Sequence, residues 1–195
     1  MEISDIETHP WEPWIPAQSK VLILGSFPPA PNRWAMDFFY PNRTNDFWKV
    51  VGIVFEGDSG AFYDTATRSY RLDRIKQMLT QKGIALSDTA RKVRRLKGNA
   101  SDKFLEVVEP VDLESILSKM PECKAIATTG EKAAGVLARL TGTQIPAVGS
   151  AVVWQRPDGR QISIWRLPST SRAYPLAPEK KAEVYRLFFE SAGLI

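Results

Sequence analysis

The residues best suited to binding or catalysis lie between positions 38 and 48, in the segment FFYPNRTNDFW. Phe47 and Trp48 are most simply explained as core residues that pack a helix against a sheet, but Tyr40 and Asn45 lie outside that explanation. A planar ring and a neutral amide are suited to stacking on a nucleobase and to binding its edge or a water molecule. We therefore take Tyr40 and Asn45 as candidate base-binding residues.

A carboxylate followed by a run of cations forms the second candidate group. Asp88 closely follows an apolar run, and the basic residues after it are Arg91, Lys92, Arg94, Arg95 and Lys97. Asp88 is either a site carboxylate or an N-terminal helix cap, since aspartate serves both roles. The cations would form a solvated face in most proteins. Because they follow a candidate site carboxylate, we expect Arg91, Arg94 and Arg95 to contact phosphates.

Two loops carry further candidates. The segment GSFPP at 25–29 contains a glycine and two prolines, which produce either a rigid loop that approaches a ligand closely or an ordinary turn. The hydroxyl-bearing residues of the second loop, LPSTSRAYP at 167–175, are Ser169, Thr170 and Ser171. With free backbone amides, these hydroxyls can bind a phosphate at the head of the last helix, and Arg172 belongs to the same loop.

The scarcity of histidine and cysteine excludes several kinds of site. His9 is the only histidine and has no plausible partner nearby in the sequence, which removes Ser-His-Asp and Cys-His catalysis in their usual forms. Cys123 is the only cysteine, so a disulfide framework, a cysteine-ligated iron–sulfur cluster and the common structural zinc sites are excluded.

Length and composition predict one domain. The chain has 195 residues, 44% hydrophobic and 25% charged, as in ordinary globular domains. We assign 1–195 to a single domain on which residues 1–19 pack as an N-terminal extension, and we expect a monomer. The formal charge of +4 permits a polyanionic partner without requiring one.

Nothing in the sequence predicts an interaction with a membrane. The longest aliphatic run, at 21–24, is too short to span a bilayer. The first ten residues are acidic and interrupted by proline, unlike a signal peptide. We therefore expect a cytoplasmic protein.

Alternating strands and helices must position the candidate residues. Short apolar runs predict buried strands at 20–25, 83–86, 124–128 and 161–167. Apolar spacing and capping residues predict helices that begin near Phe47, Leu72, Asp112, Ala133 and Pro178. This alternation predicts a three-layer α/β fold with a central four-stranded parallel sheet. Ligands bind such sheets at the carboxyl ends of the strands, which is where the candidate residues stand.

The order and spacing of these segments resemble the uracil-DNA glycosylase superfamily. The resemblance is carried by GSFPP at 25–29, FYPNRTNDFW at 39–48, GIALSD at 83–88, AIATTGEKA at 125–133 and LPSTSRAYP at 167–175. Phe27 stands where mismatch-specific members carry Asn, and Leu167 stands where the original uracil-specific members carry a catalytic His. These departures are similar to the hypoxanthine-DNA glycosylase branch, in which the Asn of an N-x-F-W motif is implicated in catalysis. That residue is Asn45 here.

The resemblance implies roles for individual residues. Asn45 would position a water molecule, and backbone amides around Ser26 and Phe27 would bond a carbonyl oxygen of the base. Tyr40 would stack on the flipped base, and Asp88 would accept an N–H from the base edge. The 167–175 loop would enter the DNA, with its arginine nearest the vacated stack.

The activity that the resemblance implies is that of a monofunctional DNA N-glycosylase, which needs neither a metal ion nor an organic cofactor. Such an enzyme would flip uracil or hypoxanthine out of DNA and hydrolyse its N-glycosidic bond in base excision repair, so the partner is DNA containing a damaged base. Two other interpretations stay open. One is a protein of the same fold that binds nucleic acid without catalysis, and the other is an unrelated α/β enzyme that acts on a small nucleotide.

Overall fold

The chain alternates strands and helices along most of its length, and the computed structural model describes residues 5–96 and 101–195. The strands are β1 (Ile6–Thr8), β2 (Val21–Gly25), β3 (Tyr63–Asp64), β4 (Ser69–Tyr70), β5 (Ile84–Asp88), β6 (Ala90–Arg95), β7 (Leu105–Pro110), β8 (Ala125–Thr129), β9 (Ser150–Gln155) and β10 (Gln161–Leu167). The α-helices are α1 (Phe47–Glu56), α2 (Leu72–Lys82), α3 (Leu113–Ser118), α4 (Glu131–Thr141) and α5 (Pro178–Ser191).

The central sheet has the strand order β5-β2-β8-β10-β9. The first four strands are parallel and are the four that the apolar runs predict. The α/β fold class is therefore confirmed. The sheet also contains β9, which pairs antiparallel with β10 at the edge and which the sequence analysis did not predict. Side chains of β9 alternate between partly buried and exposed, so this strand lacks the continuous apolar run of a strand buried on both faces.

Helices cover both faces of the central sheet. Val21 and Ile23 of β2 face the core formed with α1, α2 and α5. Leu22 and Leu24 face the opposite core, formed with α3 and α4. Side chains of a strand alternate between its two faces, and both faces of this strand are buried. Packing in the two cores holds the ends of the parallel strands in place.

Local signals set the helix boundaries as the sequence predicts. Gly83 follows α2 with φ of +70°, and a Cβ there would lie 2.9 Å from the carbonyl oxygen of Gln18, so this end needs glycine. The side chain of Asp112 caps α3 by accepting a hydrogen bond from the Ser115 amide. Among the described helices, none combines the length and the hydropathy that a bilayer crossing requires.

A second sheet, with strand order β1-β6-β7, is antiparallel and contains most of the basic run. The chain passes from Asp88, the last residue of β5, through Thr89 into β6, so Asp88 does not cap a helix. This result excludes the capping role for Asp88, and its role as a site carboxylate stays a prediction. Lys97 of the basic run lies outside the described residues.

Candidate active site

A cavity of about 1110 Å³ opens at the carboxyl ends of the parallel strands. The last residues of β2, β5, β8 and β10 all line it, namely Gly25, Asp88, Thr129 and Leu167. The parallel-sheet rule therefore places the cavity where the candidate residues were expected. The other predicted site residues that line it are Ser26, Phe27, Tyr40, Asn45, Ser169, Thr170, Ser171 and Arg172.

Tyr40 lies in the cavity wall with one face of its ring covered. The ring stacks on Phe47 with centroids 3.7 Å apart and an interplanar angle of 10°, and the hydroxyl hydrogen-bonds to Thr129 Oγ1 at 2.8 Å. Burial raises the pKa of the Tyr40 phenol well above its usual range, and the nearby Asp88 carboxylate raises it further. Tyr40 is therefore a neutral phenol fixed in orientation, although its φ of 53° is costly for a residue with a side chain.

Asp88 forms a buried pair with His9, a residue to which the sequence analysis gave no role. His9 Nε2 lies 2.7 Å from Asp88 Oδ2, and His9 Nδ1 lies 2.9 Å from the Trp11 carbonyl oxygen and 3.1 Å from the Trp11 amide nitrogen. Because a carboxylate oxygen accepts hydrogen bonds, His9 Nε2 is the donor in its contact with Asp88. Oδ1 of Asp88 lies against Gly25, where any Cβ would collide with it. Gly25 is therefore required for the carboxylate to reach the cavity.

Asn45 stands at the start of α1. Its Oδ1 accepts a hydrogen bond from the Phe47 amide at 2.9 Å, which fixes the side chain beside the cavity. A carbonyl oxygen has two lone pairs, so Oδ1 keeps one acceptor position. The Asn45 amide hydrogens bond to no other described residue, so the side chain can still hold a water molecule.

A buried ion pair joins the Asn45 segment to the 167–175 loop. Lys181 of α5 is 0% exposed, and its Nζ lies 2.9 Å from Asp46 Oδ2. The same Nζ donates to the Ser171 carbonyl at 3.2 Å, and the Asp46 amide donates to the Thr170 carbonyl at 2.8 Å. Helix α5 therefore fixes two sides of the cavity relative to each other.

The 167–175 loop is hydrogen-bonded to α5 on one side and exposed to solvent on the other. Tyr185 of α5 donates its hydroxyl hydrogen to the Pro168 carbonyl at 3.1 Å. Thr170 is buried, whereas Ser171 and Arg172 are exposed at the cavity rim. The hydroxyl oxygen of Ser169 accepts the Ser171 amide at 3.2 Å, so it already serves the loop's own turn.

The first loop contributes no polar side chain at position 27. Phe27 packs edge-on against His9, with ring centroids 5.3 Å apart, and the guanidinium of Arg95 lies 5.7 Å from its ring centre. The hydroxyl of Ser26 donates toward Asp102, a carboxylate from the connection between β6 and β7 that also lines the cavity. Desolvation in the cavity raises the pKa of Asp102, against the opposing effect of the Ser26 hydrogen bond.

Two groups of cations differ in their partners. Arg91, Arg94 and Arg95 form ion pairs of 2.7 to 2.8 Å with Glu12, Glu106 and Glu7. Phosphate contact by these three residues would compete with those ion pairs, so it stays a prediction. The cations that line the cavity have no ion-pair partner among the described residues, and they include Arg33, Lys132, Arg166 and Arg172.

Sequence reasoning gave no role to His9, which pairs with Asp88, or to Asp102, Lys132 and Arg166, which line the cavity. His9 and Asp88 are 79 positions apart, so no local pattern could join them. The buried Nε of Arg166 has no hydrogen-bond partner within the described ranges. No three His, Cys, Asp or Glu side chains among residues 5–96 and 101–195 lie close enough together to hold a metal ion.

Comparison with solved structures identifies the fold. The chain is similar to the solution NMR structure of a proposed uracil DNA glycosylase from Methanosarcina acetivorans, with a TM-score of 0.64 and 20% sequence identity. The match covers 97% of this chain and 99% of that one. No protein-family model matches the chain, and no curated protein matches it by sequence. At this level of identity, the likeness shows the architecture.

Proposed function

We propose that the protein is a monofunctional DNA N-glycosylase that removes a deaminated base. The observation that carries this proposal is the convergence of Tyr40, Asn45 and Asp88 on one cavity whose rim holds unpaired cations. A volume of about 1110 Å³ is ample for a nucleotide, since ligand cavities typically measure about 300–1,000 Å³. A structural likeness to a proposed uracil DNA glycosylase supports the same class of activity.

Base recognition would use Tyr40 and Asp88. The flipped base stacks on the Tyr40 ring. Stacking on Phe47 and the hydrogen bond to Thr129 fix the orientation of that ring. The His9 N–H occupies one oxygen of the Asp88 carboxylate, which leaves Oδ1 to accept an N–H from the base. Uracil and hypoxanthine both present such a hydrogen on a ring nitrogen, so both suit this acceptor.

Bond cleavage would rest on charge separation. The bond between C1′ and the base nitrogen breaks with both electrons moving to the base, which leaves an oxocarbenium-like sugar and an anionic base. Backbone amides around Ser26 and Phe27 bond the base oxygen on which negative charge develops. Asn45 holds the water that adds to C1′ and then releases a proton to solvent.

The cationic rim would bind the DNA backbone. Lys132 and Arg166 lie on the side of the cavity formed by β8, β10 and the start of α4, and Arg172 lies on the exposed part of the 167–175 loop. Phosphate binding by unpaired cations provides sequence-independent affinity.

A base-release assay tests the proposal. The protein is incubated with duplexes containing uracil, hypoxanthine or xanthine, and abasic sites are then cleaved with alkali. We expect strand breaks with at least one of these bases. The Asn45→Ala variant, purified in the same way, controls for glycosylases carried over from the host.

A second candidate function is nucleic-acid binding without catalysis. It is favoured by the apolar side chains of Phe27 and Leu167 in the cavity and by the bond that already engages Asn45. DNA binding without base release from any of the three duplexes would support it against the glycosylase. Failure to bind DNA, with binding of free nucleotides, would instead indicate an enzyme of small nucleotides.

A further inference from the structure

A second cavity, of about 420 Å³, lies between α1 and the β3–β4 hairpin. It borders the candidate active site, because Thr44 and Arg172 line both cavities. The wall between them is the short segment 42–45, whose end is Asn45. The other residues that line the second cavity are Arg43, Trp48, Lys49, Ser59, Gly60, Phe62, Tyr63 and Tyr70.

Aromatic rings form one side of this second cavity. Tyr63 and Tyr70 are cross-strand partners in the hairpin, and their ring centroids lie 5.2 Å apart at an interplanar angle of 77°. Both rings are half-buried, whereas Trp48 and Phe62 are buried beneath them. Tyr70 also donates its hydroxyl hydrogen to the Asn42 carbonyl at 3.3 Å, which fixes the hairpin to the shared wall.

Cations form the remaining side. Arg43 and Arg172 are exposed and have no ion-pair partner among the described residues. Lys49 lies 3.6 Å from Asp46, but that carboxylate is already paired with the buried Lys181. The second cavity therefore carries an excess of positive charge next to accessible aromatic rings, a combination that binds single-stranded nucleic acid.

We propose that the second cavity is a nucleotide subsite that takes the base and phosphate of the nucleotide next to the flipped one. The inference rests on the proposed function, because the flipped base in the first cavity sets the path of the strand over segment 42–45. Tyr63 and Tyr70 stack the neighbouring base, while Arg43 and Arg172 contact its phosphates. Because a second nucleotide must leave the stack, the subsite favours single-stranded over fully paired DNA.

The inference is tested by removing the proposed stacking contact first from the oligonucleotide, by omitting the neighbouring base, and then from the protein, by replacing Tyr63. Labelled single-stranded oligonucleotides carry at the target position a deaminated nucleotide whose 2′-fluorine prevents base release and, on either side, a normal base or an abasic analogue. Their affinity is measured by fluorescence anisotropy with wild-type protein, with Tyr63→Leu and with Tyr63→Phe. We expect loss of the neighbouring base on one side to weaken wild-type binding by about 5- to 150-fold, the range for one stacked base.

Coupling between the two changes is the decisive readout. Tyr63→Leu should weaken binding to the intact oligonucleotide by a similar factor, and it should have little further effect once the neighbouring base is absent. Tyr63→Phe keeps the ring and should bind nearly as wild type does. Additive losses, or an affinity indifferent to both neighbouring bases, would overturn the inference.

A charge variant gives an independent measurement. Arg43→Ala should lower the slope of log affinity against log salt by about one unit, since one phosphate contact is lost. Arg139→Ala removes the same charge from the exposed surface of α4, outside both cavities, and should leave the slope unchanged. Equal slopes for the two variants would contradict the phosphate contact at Arg43.

The binding readout separates this inference from the proposed activity. The uncleavable oligonucleotides require no chemistry, so coupling without base release from any duplex would reject the glycosylase and keep the subsite. Base release without coupling would reject the subsite alone. Binding of a free nucleoside monophosphate as tightly as the oligonucleotide would also reject it, because a strand-spanning site needs both neighbours.

Discussion

The basic residues of the small antiparallel sheet and those around the cavities have similar side chains in opposite settings. On β6, Arg91, Lys92, Arg94 and Arg95 each have a carboxylate partner at 2.6 to 2.8 Å. Around the cavities, Arg43, Lys132, Arg166 and Arg172 have none among the described residues. A run of basic residues in the sequence therefore does not by itself indicate a phosphate-binding surface. Isolated cations that several segments bring to one rim are better candidates.

The largest expected effect is on the free energy of unfolding, when a buried ion pair is broken instead of an exposed one. Lys181→Met should lower the free energy of unfolding by about 3–5 kcal/mol, because it leaves the buried Asp46 carboxylate with only the more distant, partly exposed Lys49. Lys92→Met breaks an exposed pair of β6 and should cost less than about 1 kcal/mol. Urea unfolding at unchanged m-value measures both. Equal losses would show that burial does not distinguish the two pairs.

Catalysis should depend on the cavity and not on the small sheet. Asn45→Ala should slow single-turnover base release by about 10²- to 10³-fold while DNA affinity stays close to that of the wild type, because one oriented contact is lost. Arg94→Ala, in β6, should release base at the wild-type rate. A near-normal rate for Asn45→Ala would remove Asn45 from the mechanism.

Variants of Asp88 test whether this carboxylate, already paired with His9, also accepts a hydrogen bond from the base. Asp88→Ala should cost about 1–3 kcal/mol in transition-state stabilisation, since the base N–H loses its acceptor. Asp88→Asn retains a carbonyl oxygen and should be the milder change. Single-turnover rates on one lesion compare the two variants. Small and equal effects would leave Asp88 only the role of holding His9.

Salt dependence gives the smallest effect and separates the two groups of cations most directly. Lys132→Ala and Arg172→Ala should each reduce the salt slope of DNA binding by about one unit. Arg91→Ala and Arg94→Ala should not change it, because their side chains are engaged by Glu12 and Glu106. A slope reduced by Arg94→Ala as much as by Lys132→Ala would mean that DNA breaks the β6 ion pairs.

The sequence predicted those parts of the molecule that local patterns determine. Apolar runs located β2, β5, β8 and β10, and the parallel-sheet rule then placed Tyr40, Asn45 and Asp88 around one cavity. The catalytic and binding roles of these residues stay predictions.

Contacts between distant positions account for what the sequence did not reveal. His9 and Asp88 are separated by 79 positions, and Lys181 and Asp46 by 135. The carboxylates that neutralise β6 come from the N-terminal segment and from β7, so the basic run alone could not show that its charges are paired. Strand β9 was missed because it lies at an edge and has no continuous apolar run.

The attachment of the 167–175 loop to α5 has an entropic consequence. Its backbone oxygens at Pro168, Thr170 and Ser171 already accept hydrogen bonds from Tyr185, the Asp46 amide and Lys181. Fixing a residue's backbone costs about 1–2 kcal/mol of conformational entropy, and here that cost is incurred when the protein folds. If the proposed function holds, a loop ordered in advance would enter the DNA as a rigid body, and association would lose little further chain entropy.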